Sequence, residues 1–219
     1  MDETVNRVDP ELLDELAHAP DPVKLNIGCG PNPLGGWINC DLEPFSGHVR
    51  KLDATQLFPF DEATFTHVFS EHMIEHVPVT GGEVMIRECF RVLRPGGRIR
   101  ISTPDLEFLI ALTRPPLSKL QNEYIAWSCR NFACDSEPSG VTVMNFFHRL
   151  WGHQHIYDRH GLWALMKVAG FVDPLMCRLN ESPDRELQNL ENENRMPAGY
   201  LALETMTLEA VKPGSPTGA

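Results

Sequence analysis

No stretch of this chain approaches the ~18 consecutive apolar residues that span a bilayer. Met1 to His18 is acidic and polar, without the basic start and apolar core of a secretory signal. Positive charge is scarce: 19 lysines and arginines face 30 aspartates and glutamates, a formal net charge of -11. That balance argues against a nucleic-acid backbone or an anionic membrane as the main partner. There is no C-x-x-C, and the six cysteines (Cys29, Cys40, Cys89, Cys129, Cys134 and Cys177) are scattered, as expected of reduced thiols in a cytoplasm. No internal repeat is present. The expectation is a soluble cytoplasmic protein, its oligomeric state open.

What is there is ordinary in bulk. A length of 219 residues, 42% hydrophobic and 22% charged, suits one globular domain with a full core. Residues 1–22 read as a leader: Leu12, Leu13 and Leu16 give one helical stripe, ended by Pro20 and Pro22. Residues 23–211 read as a single domain, and 212–219 as a disordered tail. Within the domain, strands are expected near 23–27, 37–40, 49–52, 67–69 and 98–102, alternating with loops and a helix over 82–93. This is the rhythm of an α/β sheet. Only Cys29 to Gly36 separates the first two strands, short for the crossover of a dozen or more residues that parallel neighbours usually need. Residues 104–157 break the rhythm and read as a largely helical, aromatic-rich insertion over the carboxyl edge of the sheet. A helix at 158–169, stopped by Gly170, and strands at 171–179 and 200–211 complete the pattern. Arg87, Arg91, Arg94, Arg98 and Arg100 read as a mostly solvated face.

The most informative segment is Lys24-Leu25-Asn26-Ile27-Gly28-Cys29-Gly30, a buried strand running into Gly-x-Gly, where missing Cβ atoms let the backbone approach a ligand. Asp41 closes the next apolar segment, where an acid can accept the two hydroxyls of a ribose. Asp53-Ala54, Ser70-Glu71-His72 and Leu93-Arg94-Pro95-Gly96-Gly97 follow in order. A nicotinamide-binding fingerprint would need a third glycine where Pro33 stands and an acid later than Asp41, so that reading loses.

With these motifs the chain resembles class I S-adenosylmethionine-dependent methyltransferases, over about Val23 to Ser102. The later Trp151-Gly152-His153, Tyr157-Asp158 and Ala169-Gly170-Phe171 resemble a subset described as predicted methyltransferases, some suspected of acting on sugars or other small hydroxylated acceptors. The resemblance implies a mainly parallel seven-stranded Rossmann-like sheet with helices on both faces. It implies S-adenosylmethionine as cofactor, S-adenosylhomocysteine as product and a small-molecule acceptor. Gly28, Cys29 and Gly30 match the loop cradling the methionine end, Asp41 the acid on the ribose, and Leu42 the residue packing on the adenine. Asp53 matches the acid bonding the adenine amine, Ala54 a backbone N–H donor beside it, and Ser70 and Glu71 the strand end flanking the methyl. Asn26 departs from the pattern, since many relatives carry an acid there. A cofactor-binding module of the same fold without turnover is the alternative that Asn26 and the short crossover motivate.

His72-Met73-Ile74-Glu75-His76 also fits the H-x-x-E-H pattern of inverted zinc peptidases, with two histidines on one helical face and Glu75 as base. No clear third ligand follows, and the motif sits directly after a sheet strand. Some methyltransferases that this chain resembles hold a divalent metal here through two acids and a histidine. His72 would replace the first acid, Glu75 and His76 would match the other two ligands, and His148 or His153 would complete the site. The reading kept is no metal, with His76 packed at the start of the helix. A second cluster, His148, His153, His155 and His160, invites a base, because an unperturbed imidazole titrates near neutrality; zinc with Cys129 and Cys134 matches no standard spacing. His72 at the strand tip and His153 on the insertion are the expected catalytic residues.

Overall fold

The computed structural model describes residues 18–132 and 137–214, and residues 10, 12 and 16 of the N-terminal segment, which are helical. Seven strands form one sheet: β1 (Lys24–Ile27), β2 (Ile38–Asp41), β3 (Val49–Lys51), β4 (Phe65–Glu71), β5 (Leu93–Pro104), β6 (Val172–Cys177) and β7 (Thr205–Val211). Their order is β3-β2-β1-β4-β5-β7-β6. The first five are parallel to one another, and β7 runs antiparallel to both β5 and β6. The order reverses between β1 and β4, the point where open α/β sheets bind ligands beyond their carboxyl ends.

β1 and β2 are parallel despite the short link, and residues 28–37 contain no helix. Two tight turns, Asn32 N–H to Cys29 O at 2.9 Å and Trp37 N–H to Leu34 O at 3.3 Å, replace one. Buried Asn39 holds the loop: its Oδ1 accepts from Leu34 N–H at 2.8 Å, and its Nδ2 donates to the carbonyls of Leu34 and Trp37, each at 2.9 Å. Asn26, the departure noted above, donates to the same Oδ1 at 2.9 Å. Both side chains are nearly sealed from water, so these bonds remove the cost of burying two amides.

Strand alternation divides the sheet into two unlike faces. Leu25, Ile27, Ile38, Val68, Ile99, Ile101, Leu208 and Ala210 face one core. Met85, Ile86 and Cys89 of α1 (Val79–Val92) and Leu162 and Met166 of α5 (Arg159–Ala169) pack on it. The opposite face carries Arg100 and Ser102 of β5 and Thr207 and Glu209 of β7, all buried. The segment 178–195, with 3-10 turns at Arg185–Leu187 and Glu193–Arg195, runs over this face. It contributes Leu187 and Leu190 to a small cluster with Trp37 and Phe69. Arg100 is fully buried, where the arginine run suggested a solvated face. Its Nε donates to Glu191 Oε1 at 2.7 Å and its Nη1 to Glu209 Oε1 at 2.6 Å. Arg91 is likewise drawn inward, donating to Glu88 and to the carbonyls of Phe58 and Phe60.

Three helices, α2 (Leu106–Leu112), α3 (Lys119–Asn131) and α4 (Gly140–Arg149), occupy the aromatic-rich insertion. They form their own core with Tyr200 of α6 (Tyr200–Glu204), so the stretch expected as a strand from 200 begins as a helical turn. At the other end of β7, Lys212 is held rather than loose: its Nζ donates to the carbonyls of Phe90, Arg91 and Leu93 at the end of α1. A cation at a helix C-terminus satisfies carbonyls with no intrahelical partner. The rest of the expected disordered tail, 215–219, most of the leader and Cys134 lie outside the described residues. Among the described residues, no helix is long and apolar enough to cross a membrane.

Candidate active site

The carboxyl ends of β1 and β2 meet in a tight arrangement of backbone and carboxylate. Cys40 O accepts from both Gly28 N–H at 2.8 Å and Cys29 N–H at 3.0 Å. Asp41, the last residue of β2, accepts from Gly30 N–H at 2.8 Å and from Glu43 N–H at 3.0 Å, one on each oxygen. A carboxylate has about four acceptor positions, so both oxygens can still take a ligand hydroxyl. Gly28 has φ +69° and Gly30 φ +48°, conformations that side chains rarely adopt. A Cβ on Gly28 would sit 2.3 Å from Met73 Cγ, whereas Gly30 opens into space with nothing within 4 Å. The loop is therefore closed on its inner side and open towards a ligand. Leu42, which directly follows Asp41, is 54% exposed, and Phe45 three residues further on is 55% exposed, so the segment after β2 offers apolar surface.

Asp53 follows β3, its Oδ1 accepting from Thr55 N–H at 2.9 Å and Thr55 Oγ1 at 2.6 Å; Ala54 beside it is buried. Ser70 near the end of β4 is fully buried, and its Oγ has no hydrogen-bond partner. Glu71 turns towards the 178–195 segment, accepting from Asn192 N–H at 3.2 Å and lying 3.9 Å from Arg195. Burial pushes its carboxyl up, with Arg195 and His72 pulling the other way.

Past β4 the chain bends sharply. His72 has φ +46° and donates its N–H to Ser102 O at 2.8 Å, and Ile74–His76 is a single 3-10 turn rather than an α-helix. The two histidines of H-x-x-E-H consequently diverge. His72 Nε2 meets Thr205 Oγ1 at 2.8 Å, while His76 packs edge-on against His153, ring centroids 4.8 Å apart. The peptidase arrangement, both histidines gripping one ion from a helical face, is not built.

A cavity of about 360 Å³ lies between this turn and the insertion. Its floor is His72, His76 and His153; its walls include Tyr124, Trp127, Phe132, Phe147 and Trp151; and Arg195, Met196 and Glu204 close it. So the structure brings His72 and His153 to one cavity, whereas His148, His155 and His160 are exposed and do not line it. Burial lowers the affinity of His153 for a proton, despite Glu75 nearby, so its ring is neutral at pH 7. Burial pushes the Glu204 carboxyl up, opposed by His72 and by the Tyr124 hydroxyl, which donates to its Oε2. Glu75 is fully buried and burial alone would raise it, but His72, a backbone hydrogen bond and His76 together hold it below the usual carboxylate range.

Arg195 and Met196 escaped sequence reasoning, because 180–199 shows neither helical nor strand periodicity, and Glu204 lies in a stretch whose pattern suggests only a strand. The one available signal was the acid-and-Asn run Glu191-Asn192-Glu193-Asn194-Arg195, which no folding pattern explained.

Residues 38–101 match a family model described as a methyltransferase domain. Among curated proteins, none matches the chain in sequence. Among solved structures, the chain is similar to a SAM-dependent methyltransferase of Archaeoglobus fulgidus: 15% identity, TM-score 0.53, covering 92% of this chain and 91% of the other. An S-adenosylmethionine-dependent methyltransferase of Mesorhizobium loti is similar at 14% identity and TM-score 0.52, covering 92% and 96%. Phosphoethanolamine N-methyltransferase 2 of Haemonchus contortus matches at 18% identity and TM-score 0.47, covering 93% of this chain, which spans only 52% of that protein. With its 3-2-1-4-5-7-6 sheet and the match over residues 38–101, the chain carries the class I S-adenosylmethionine-dependent methyltransferase fold.

Proposed function

We propose that this protein is an S-adenosylmethionine-dependent methyltransferase acting on a small acceptor, a sugar or another hydroxylated metabolite. The observation that carries the reading is the pairing of Gly30 N–H with Asp41 at the carboxyl ends of β1 and β2, next to the switch point between β1 and β4. The residues fit the cofactor. Gly30 faces open space, Asp41 keeps acceptor capacity for two ribose hydroxyls, and Ser70 Oγ is an orphaned buried hydroxyl at the strand end. Gly28 and Cys29 would hold the methionine end of the bound cofactor, Leu42 would pack on the adenine, and Asp53 and Ala54 would hold its edge. Glu71 anchors the loop at Asn192, which shapes the site's rim.

When bound, the cofactor supplies a sulfonium methyl, already activated for in-line displacement. The chain's own task is then to orient the acceptor and exclude water. The aromatic walls of the 360 Å³ cavity do both. A hydroxyl acceptor must also lose a proton, a step in which a positioned base contributes ~10²–10⁴-fold. His72 is held in place by Thr205, and its Nδ1 lies 3.3 Å from buried Glu75. With Nδ1 facing Glu75, His72 takes the acceptor proton at Nε2 in exchange for its contact with Thr205, and the carboxylate stabilises the imidazolium so formed. His153, neutral and on the same floor, orients the acceptor.

Calorimetric titration with S-adenosylmethionine and S-adenosylhomocysteine tests the reading. Wild type is expected to bind in the micromolar range, and Asp41→Ala to weaken binding at least tenfold. A folded wild type that binds neither nucleoside overturns the proposal. Binding without methyl transfer to any of a panel of hydroxylated acceptors would favour the turnover-free module, which Asn26, committed to Asn39, also motivates.

A further inference from the structure

We propose that Arg195 recognises an anion in the acceptor cavity, so that the acceptor is a compact hydroxylated molecule carrying a carboxylate or a phosphate. As a statement about the acceptor this rests on the methyltransferase reading; the anion site itself does not. Among the described residues that line the cavity, Arg195 is the one lysine or arginine. A guanidinium is a permanent cation with five donors in a planar fork, which matches either oxyanion through paired hydrogen bonds.

Two features carry the assignment. The first is that the fork is unspent. Among the described residues the Arg195 side chain donates no hydrogen bond, and its ion pair with Glu71 is 3.9 Å long. A charge-assisted N–H to O bond spans about 2.7–2.9 Å, so Glu71 is near enough to orient the guanidinium and too far to bond it. Both Glu71 oxygens accept instead from Asn192 N–H, at 3.2 and 3.3 Å. Arg100 and Arg91, by contrast, donate from all three of their side-chain nitrogens. Arg195 is 33% exposed at its side chain, open to a ligand while still part of the wall.

The second is that the fork is held in place. Arg195 ends the 3-10 turn Glu193–Arg195, which Asn192 Oδ1 caps by accepting from Asn194 N–H at 3.1 Å. Just before it, Asn180 N–H donates to Glu191 Oε2 at 2.8 Å and Glu191 N–H to Asn180 Oδ1 at 2.9 Å. The segment is therefore fixed before a ligand arrives, which lowers the ordering cost of binding. Glu204 is the acid on the lining, and the Tyr124 hydroxyl donates to it. Burial pushes the carboxyls of Glu204 and Glu71 up, which favours their neutral forms and leaves the cation less fully compensated. A volume of about 360 Å³ suits a single-ring acceptor, its body against Trp127 and Trp151 and its hydroxyl at His72.

The test is ligand-observed NMR titration of the full chain with para-hydroxybenzoate, para-hydroxyphenyl phosphate and the neutral para-hydroxybenzamide. At least one anion is expected to bind about tenfold or more tighter than the amide, the scale of one charge-assisted contact. Whichever anion binds tighter tells a carboxylate-bearing acceptor from a phosphate-bearing one. Arg195→Gln should abolish the preference while leaving affinity for the amide nearly unchanged, a split that loosening of the cavity would not produce. Arg195→Lys keeps the charge without the fork and should retain part of the preference. Arg149→Gln, at an exposed arginine ending α4, should leave it intact. Anions that bind no better than the amide, or a preference that survives Arg195→Gln, overturn the proposal. Should Arg195→Gln fail to fold, the wild-type comparison and Arg195→Lys decide the matter. S-adenosylhomocysteine binding is read separately: anion preference without it sinks the methyltransferase reading alone, and the reverse result sinks only the anion site.

Discussion

Glu204 shows how a single residue can carry a cost within the cavity wall. It is 4% exposed, and the Tyr124 hydroxyl donates to it, yet burial still pushes its carboxyl up from the ordinary 4.5. A carboxyl that binds its proton more tightly when folded makes the folded state the better proton acceptor. Stability then falls as pH rises from about 4.5 through the folded-state value, and stays lower above it. Glu204→Gln keeps an acceptor for Tyr124 and removes the charge. The variant should melt a few degrees higher than wild type at pH 7, given ~2–4 °C per kcal/mol for a chain of this size. The advantage should vanish below about pH 4, where both side chains are neutral. Melting curves from pH 4 to 8 decide it: parallel profiles for the two proteins would show that the buried charge costs nothing.

At the scale of elements, the insertion is a separate packing unit joined to the sheet at few points. α2 and α4 touch through bare backbone, since a Cβ on Gly140 would lie 2.0 Å from Leu112 O. A carbonyl in a helical end cannot swing aside as a flexible side chain would. Gly140→Ala should push α4 away from α2 and cost about 1–3 kcal/mol, the range for overpacking. Gly28 and Gly30 follow β1 and Asp41 ends β2, remote from this contact, so affinity for S-adenosylhomocysteine should change less than threefold. Hydrogen exchange read by peptide should speed up over 106–149 and stay constant over 24–71. A uniform change across both regions would mean that the insertion and sheet unfold as one.

This separation also explains which features were legible in the sequence. Gly28, Gly30 and Asp41 announce themselves because their constraints are local: a turn, a close approach, a strand end. Asp158 and Gly170 mark the ends of α5 for the same reason, as N-cap acceptor and left-handed C-cap. Ile99 and Ile101 reveal β5 by alternation, but the same alternation places Arg100 inside, and nothing nearby in sequence names its partners. Glu191 and Glu209 lie 91 and 109 residues away. The H-x-x-E-H spacing misleads by assuming a helix, where a left-handed His72 and one 3-10 turn give the two histidines different partners, Thr205 and His153, on one cavity floor. Arg195 and Glu204 reach the cavity only because distant contacts position the segment before them.

For the whole molecule, those contacts converge on Arg100. It joins β5 to β7 through Glu209 and to the 178–195 segment through Glu191, whose Oε1 also accepts from Ser102 Oγ at 2.6 Å. Arg100 Nη1 and Nη2 further donate to the carbonyls of Glu181 and Arg178. One guanidinium thus anchors the covering of the polar sheet face and, through it, the edge of the cavity at Arg195. Removing one partner of a buried ion pair typically costs about 3–5 kcal/mol, because the remaining charge is stranded. Arg100→Met strands two carboxylates and should cost at least that much in urea denaturation at pH 7. Adding Glu191→Gln and Glu209→Gln removes the stranded charges and should recover most of the loss, since neutral replacement of a buried ionic group is often tolerated. If the triple variant is no more stable than Arg100→Met, lost packing rather than charge accounts for the cost. The sheet face would then be held by its hydrogen-bonded carbonyls and by the Trp37, Phe69, Leu187 and Leu190 cluster.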